Sequence, residues 1–208
     1  MTPAHLPKDI LELYDVYDHR HASAILAFDF PVLYDEICEV LRHFRLTDEM
    51  IKAPGGNESE IPKKFSEILR PLGWVERTLN ARVQIDESDE YVRPETHKID
   101  YLKGRIAFDV EWNSKDQTFD RDLFAFSSFF EYQKISIGIL VTRSTSLHGY
   151  FATLGNYVDK HGVERPIKSK YGASTTHMDK LIPRLKGGRS GGCPVLALGI
   201  KQELIENG

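Results

Sequence analysis

Three acidic residues pose the chemical question in this chain: Asp100, Asp109 and Glu111. Read as a β-strand, residues 105–112 alternate faces, with Ile106, Phe108, Val110 and Trp112 on one side and Ala107, Asp109 and Glu111 on the other. An apolar face thus carries two carboxylates directly behind it. Asp100 stands nine positions before Asp109, and a short turn at Lys103-Gly104 would fold it back beside them. Three carboxylates converging at a strand end make a hard-oxygen, negative pocket. Mg²⁺ suits such a pocket, because it takes one or two carboxylates and keeps sites for water and phosphate oxygens. Asp-x-Glu alone fits a solvated strand face equally well, since surfaces are rich in acids. An Asp flanked by Ile106, Ala107, Phe108 and Val110 still needs a reason, because strands are depleted in Asp.

Positioning these acids requires a sheet and something to cover it. Residues 31–44 predict a helix, with Leu33, Ile37, Val40, Leu41 and Phe44 at three- and four-residue steps and Pro31 in the first turn. Residues 61–72 predict a second, ended by Gly73. Residues 8–17 fit a short helix or a strand, 54–57 a loop, and 74–85 an alternating strand leading into an acidic loop (Asp86, Glu87, Asp89, Glu90). After the carboxylate strand, residues 120–132 predict a helix in which Leu123, Phe126 and Phe130 form a stripe widened by Phe124 and Phe129. So many aromatics on one helix point either to tight burial in the monomer or to a second contact, such as a dimer partner. Residues 135–142 form a β-branched run suited to a central strand, completing a β-α-β unit with a parallel pair. Residues 144–172 read as loop-rich and basic, 175–185 as a helix, 187–192 as a glycine-rich turn and 195–200 as a last buried strand. The expected fold is α/β, a central mixed β-sheet flanked by helices, in one domain spanning residues 1–208.

Composition narrows the partners. Apolar content of 41% and charged content of 28% are ordinary for a globular chain. The longest apolar runs are far short of a membrane span, and the first residues lack a signal-peptide pattern. Cys38 and Cys193 have no metal-binding or disulfide spacing, so a reducing cytoplasm is the expected location. The net charge of −4 argues mildly against nucleic acid, yet residues 160–189 hold eight Lys and Arg against Glu164 and Asp179. That tract fits a phosphate-binding surface or a solvated loop. The glycines around Arg189 precede a strand and lack the spacing of a phosphate cradle. The hydroxyls of Ser174, Thr175 and Thr176 before His177 fit helix capping or base contact. The histidines show no metal-ligand spacing, and no nucleophile motif is present.

Asp100, then Asp109-Val110-Glu111 on a strand, resembles the metal-binding core of the PD-(D/E)XK nucleases. The wider pattern is similar to the type II restriction endonucleases of the BglII and BstYI group, with BamHI a relative. It rests on Leu33-Tyr34-Asp35-Glu36-Ile37, Gly73-Trp74, Ile99-Asp100-Tyr101, the helix and apolar strand after the core, and Ala173-Ser174-Thr175-Thr176-His177. The resemblance runs from about Ala27 to Ile200. Two departures stand out. Glu111 replaces the usual lysine, as in BamHI-like enzymes, and Asp109 stands where Glu is commoner. Lys115, a few residues on, is a candidate substitute lysine or a solvent-facing residue.

The resemblance implies Mg²⁺-dependent hydrolysis of duplex DNA by a homodimer at a palindromic site, with a GATC core cut to leave 5′ overhangs. It implies Asp100, Asp109 and the Val110 carbonyl as metal ligands, Glu111 as general base or water-orienting group and Glu76 as a helper. Base readout would fall to Asn113, Ser114, Lys170 and Ser174 to His177, and phosphate contact to Lys168, Arg184, Lys186 and Arg189. Residues 120–132 are the candidate dimer face. A repair or recombination nuclease of the same fold, and a DNA-binding protein with a degenerate core, are the rival readings.

Overall fold

The structure is a computed structural model; it describes residues 5–54, 59–80, 83–84, 91–92 and 96–206. Helix α1 (Lys8–Leu13) runs into strand β1 (Tyr14–His19), so the segment open to two readings holds both elements in turn. Helices α2 (Ala22–Asp29), α3 (Pro31–His43), α4 (Asp48–Lys52) and α5 (Glu60–Leu69) follow. Next come β2 (Val75–Leu79), the short pair β3 (Val83–Gln84) and β4 (Tyr91–Val92), then β5 (His97–Lys103) and β6 (Ile106–Val110). Helix α6 (Thr118–Glu131) leads to β7 (Ile137–Arg143), α7 (Leu147–Thr153), the hairpin β8 (Asn156–Val158) and β9 (Glu164–Pro166), α8 (Ile167–Lys170), α9 (Met178–Lys186) and β10 (Val195–Ile200). The predicted acidic loop and most of the predicted 54–57 loop lie outside the described residues.

The central sheet has the order β1-β10-β7-β6-β5-β2. Its middle strands β10, β7 and β6 are parallel, while β1, β5 and β2 run antiparallel to their neighbours. The mixed α/β architecture is therefore the expected one, with α6 as the crossover between parallel β6 and β7. Burial on both faces explains why β7 and β10 read as unbroken apolar runs.

The predicted alternation on β6 divides the core in two. Ile106, Phe108, Val110 and Trp112 pack on one face with α3 and α5, while Ala107 lies on the other with α6 and α9. Helix α6 sits close to the sheet because β7 has a glycine under it: a Cβ on Gly138 would lie 2.3 Å from the Phe126 ring. Phe119, Leu123, Phe126 and Phe129 are all buried in this way. The aromatic surplus of α6 is thus consumed largely inside the chain, leaving Phe124 and Tyr132 about half exposed.

Two differences from the predicted elements have local causes. The 74–85 strand is interrupted, because β2 ends at Leu79 and Val83 pairs instead with Val92 in a separate ribbon. Helix α9 begins at Met178 rather than 175, because Thr175 is drawn into a bridge with Lys115 and its hydroxyl donates to the Gly172 carbonyl. Those hydroxyls do not cap the helix.

Candidate active site

Strands β5 and β6 form a tight hairpin whose two-residue turn starts at Gly104, where φ is +56°. Glycine suits that position because a side chain there is strained. The register pairs Tyr101 with Phe108, which sets Asp100 beside Asp109 one step further on. The contact is direct: the Asp100 backbone N–H donates to Asp109 Oδ1 at 2.8 Å. Glu111 lies just past β6, and its own N–H donates to the Val141 carbonyl at 2.8 Å, so the ladder to β7 still governs its position. The other end of the hairpin is anchored to α3, where Glu36 accepts from Lys103 Nζ at 2.6 Å and from Trp74 Nε1 at 2.5 Å.

A fourth carboxylate joins these, and sequence reasoning missed it. Asp122 on α6 is 5% exposed and sits among the buried residues Phe119, Leu123, Ala125 and Phe126. The signal was available: an acid at helical spacing within an apolar stripe (119, 122, 123, 126) faces the core rather than solvent. Its neighbour Arg121 donates to Asp122 Oδ1 through Nε at 3.2 Å and Nη2 at 3.1 Å, and its Nη2 lies 3.6 Å from Glu111 Oε1.

The electrostatics follow from burying like charges together. Desolvation raises Asp109 well above the usual carboxylate range, the Asp100 charge adds to it, and the Asp100 N–H opposes it. Asp122 is raised likewise, by burial first and then by Glu111 and Asp109. Glu111 is raised by burial, against a hydrogen bond from Ser114 and the Arg121 charge. Three buried carboxyl groups that resist ionising together call for protons or a cation.

The donor chemistry fits a hard divalent ion. Every candidate ligand is an oxygen, and Asp122 Oδ2 is buried without a hydrogen-bond partner. The groups are gathered but not closed into a cage: among the described residues, no three His, Cys, Asp or Glu stand together closely enough to hold one ion. Asp100 itself is exposed.

Glu111 opens toward a cleft of about 630 Å³, lined among others by Val110, Asn113, Ser114, Lys160 and Lys170. The 172–177 loop is bonded to the segment after β6. Thr176 N–H donates to the Ser114 carbonyl at 2.9 Å, and Asp116 N–H to the Ser174 carbonyl at 3.0 Å. Arg143, at the end of β7 and fully buried, spans both through Nη1 to the Trp112 carbonyl (2.9 Å) and Nη2 to Thr175 Oγ1 (2.5 Å).

The remaining sequence candidates separate. Asn113, Ser114, Ser174, Thr175, Thr176 and His177 all lie in these two joined segments. Thr176 and His177 are buried, and desolvation lowers His177 to about 4, leaving its ring neutral. Lys170 turns inward, donating to the Ile51 and Ala53 carbonyls, and burial lowers it to about 8. Arg184 is held by Asp120 at 3.1 Å and Asp116 at 3.4 Å, which ties α9 to α6. Lys186 lies over the Tyr17 ring on edge strand β1, across the sheet from the carboxylates. Arg189 and Lys168 are exposed. Glu76 sits at a bulge in β2 and pairs with Lys98 at 2.6 Å, two residues before Asp100. Lys115 is exposed and bridges Thr175.

A mixed sheet covered by helices, with buried acids at the end of a central parallel strand, is the architecture of a restriction endonuclease core. A family model described as restriction endonuclease BglII/BglIII matches residues 14–200, and the chain belongs to that family. It is accordingly a type II site-specific deoxyribonuclease that cleaves double-stranded DNA. No individual curated protein matches the chain. Among the described residues, no helix is long and apolar enough to cross a membrane.

Proposed function

We propose that this chain hydrolyses phosphodiester bonds of duplex DNA at a palindromic site in a Mg²⁺-dependent reaction, as a homodimer with a PD-(D/E)XK-type core. The observation that carries this reading is the β5–β6 register, which brings Asp100 onto Asp109 within reach of the Glu111 side of the strand. Asp100 and Asp109, with the Val110 carbonyl, would hold the ion. A bound divalent cation supplies a water of lowered pKa and a positive clamp on phosphate oxygens. Glu111, raised by burial at the mouth of the cleft, takes or orients the proton of the attacking water. Glu76 supports the arrangement through Lys98, which lies on the same strand as Asp100.

DNA would enter over the cleft and the 172–177 loop. Asn113, Ser114, Ser174 and Thr175 offer donors and acceptors for base edges, with Thr176, His177 and Lys170 shaping that surface from beneath. Lys168 and Arg189 suit phosphates, while Arg184 and Lys186 reach them only by leaving their present partners. The half-exposed Phe124 of α6 and Tyr132 just past its end support a second copy packing there, which would mirror a palindromic site, a GATC core with 5′ overhangs on the family pattern. We further infer that residues 1–208 act as one domain in a reducing cytoplasm, where the buried Cys38 and Cys193 stay free.

The test is digestion of phage DNA by the purified chain with Mg²⁺, followed by sequencing of the fragment ends. Discrete fragments with a shared palindromic end are expected. A smear, a preference for branched DNA, or no cutting with Mg²⁺ or Mn²⁺ would overturn the reading.

A further inference from the structure

Arg121 is the residue near the carboxylates that neither the metal chemistry nor the base-reading surface accounts for. Its side chain is 74% exposed, yet its guanidinium is committed to Asp122 Oδ1 by two hydrogen bonds and approaches Glu111 Oε1 at 3.6 Å. Both acids are buried, and the guanidinium lies beside them with most of its own surface in solvent. The neutralisation is incomplete. Asp122 Oδ2 is buried without a donor, and one monovalent, mostly solvated cation serves a group of carboxylates that also includes Asp109. A half-solvated ion pair is weak, whereas a divalent cation on oxygen ligands neutralises two charges at once.

We propose that Arg121 is the built-in counter-ion of the acidic site while no divalent cation is bound, and that the two compete for the site's negative charge. Displacement then frees the guanidinium to meet a phosphate oxygen of the incoming DNA. This rests on the metal-dependent reading above. Arginine fits both halves of the task. Its charge persists at every working pH, and its fork matches a carboxylate in one state and a phosphate in the other. Arg121 closes the first turn of α6, three residues after Thr118, so a rotation of its exposed side chain alone would exchange one partner for the other without moving the helix. Asp122 has no such freedom, because its stripe is packed under the sheet.

The competition gives a sign that a structural role would not. Mn²⁺ binding to the full-length protein without DNA is measured from the free-ion spectroscopic signal. Arg121→Gln is expected to tighten it by roughly twofold to fivefold, the weight of one exposed ion pair. Arg121→Lys, which keeps the charge but loses the fork, falls between. In Ca²⁺, which replaces Mg²⁺ without requiring turnover, Arg121→Gln is expected to weaken binding to duplex DNA and to lower the slope of log affinity against log salt by about 0.9. Equal or weaker Mn²⁺ binding by Arg121→Gln, or unchanged DNA binding in Ca²⁺, overturns the proposal. Failure of the wild type itself to bind Mn²⁺ sinks the metal reading instead, so the two failures are distinguishable. Thermal melting of each variant in EDTA serves as the folding control, and an exposed side chain makes unfolding an unexpected result.

Discussion

The carboxylate strand and the 172–177 loop meet at one seam but are held in opposite ways. Strand β6 is fixed by ladders to β5 and β7 on both sides, and every residue of it is buried. Among the described residues, the loop has no sheet partner beyond one bridge. It depends on two backbone bonds to residues 114–116 and on the Arg143 guanidinium. Their electrostatics are opposed too. Burial pushes the acids of the strand up, and it pushes His177 and Arg143 of the loop region down, to about 4 and about 10. In each region the low dielectric disfavours charge. On the strand side the crowded carboxyl groups are relieved by protons or, on the reading proposed above, by a cation. On the loop side Arg143 keeps a buried charge without a carboxylate, held by a carbonyl, a hydroxyl and the Tyr171 ring at 5.4 Å. Geometry set by a backbone ladder should survive side-chain changes that abolish chemistry, whereas geometry set by a few side-chain bonds should not.

The largest effect tests the first half. Asp109→Asn keeps Oδ1 to accept from the Asp100 N–H, so the hairpin is expected to stay intact. If Asp109 is a ligand as proposed, cleavage should fall by about a thousandfold or more, beyond the roughly 10–100-fold cost of a supporting change. DNA binding should persist, and melting in EDTA should be unchanged or higher because a crowded buried charge is gone. A variant that cuts at the wild-type rate removes Asp109 from the reaction.

Thr175→Val tests the second half. It conserves shape, deletes the acceptor of Arg143 Nη2, and leaves a guanidinium whose Nε already lacks a partner with a second unsatisfied group. The cost in urea unfolding should be about 1–3 kcal/mol. Discrimination between cognate and one-base-altered sites should fall with it, while Mn²⁺ affinity stays put. Equal stability would show that the loop has other support.

What the amino-acid sequence revealed follows the same division. The period-two alternation of β6, the helical stripes of α3 and α6 and the buried runs of β7 and β10 were legible because one strong periodicity decides each. So was the juxtaposition of Asp100 and Asp109 across the β5–β6 hairpin. The segment 144–172 read as loop-rich, yet it contains α7, the β8–β9 hairpin and α8. Those elements are only three to seven residues long, too short for a period to register, and are fixed by contacts such as Tyr171 with Phe151 and the Ile51 carbonyl. Asp122 is hard to single out because α6 carries three other charged residues, Asp120, Arg121 and Glu131, and charge alone does not show which of them turns inward. Arg184 looked like a phosphate ligand because sequence displays a charge without its partners, and Asp116 and Asp120 lie more than sixty residues away.

Acidification should separate the regions by sign. His177 has its folded pKa depressed below the unfolded 6.5, so the stability it contributes is present above 6.5 and is lost as pH falls toward about 4. The loss should be on the order of 2 kcal/mol, given ~1.4 kcal/mol per pKa unit and some relaxation of the loop. His177→Gln should flatten that part of the stability profile in metal-free buffer. An identical profile in the variant would assign the acid sensitivity elsewhere.

The smallest effect sharpens the comparison within one helix end. Arg184 is 19% exposed at its side chain and bonded to two aspartates of the α6 region, whereas Arg189 is 65% exposed and only 3.8 Å from Asp120. Arg184→Ala should therefore act on folding, loosening α9 from α6. Arg189→Ala should leave stability within about 0.5 kcal/mol and weaken binding to all duplex sequences alike, reducing the salt slope by about 1. If Arg189→Ala instead altered which sequences are cut at constant overall affinity, its side chain would read a base, and the boundary between the phosphate-binding surface and the 172–177 loop would have to be redrawn.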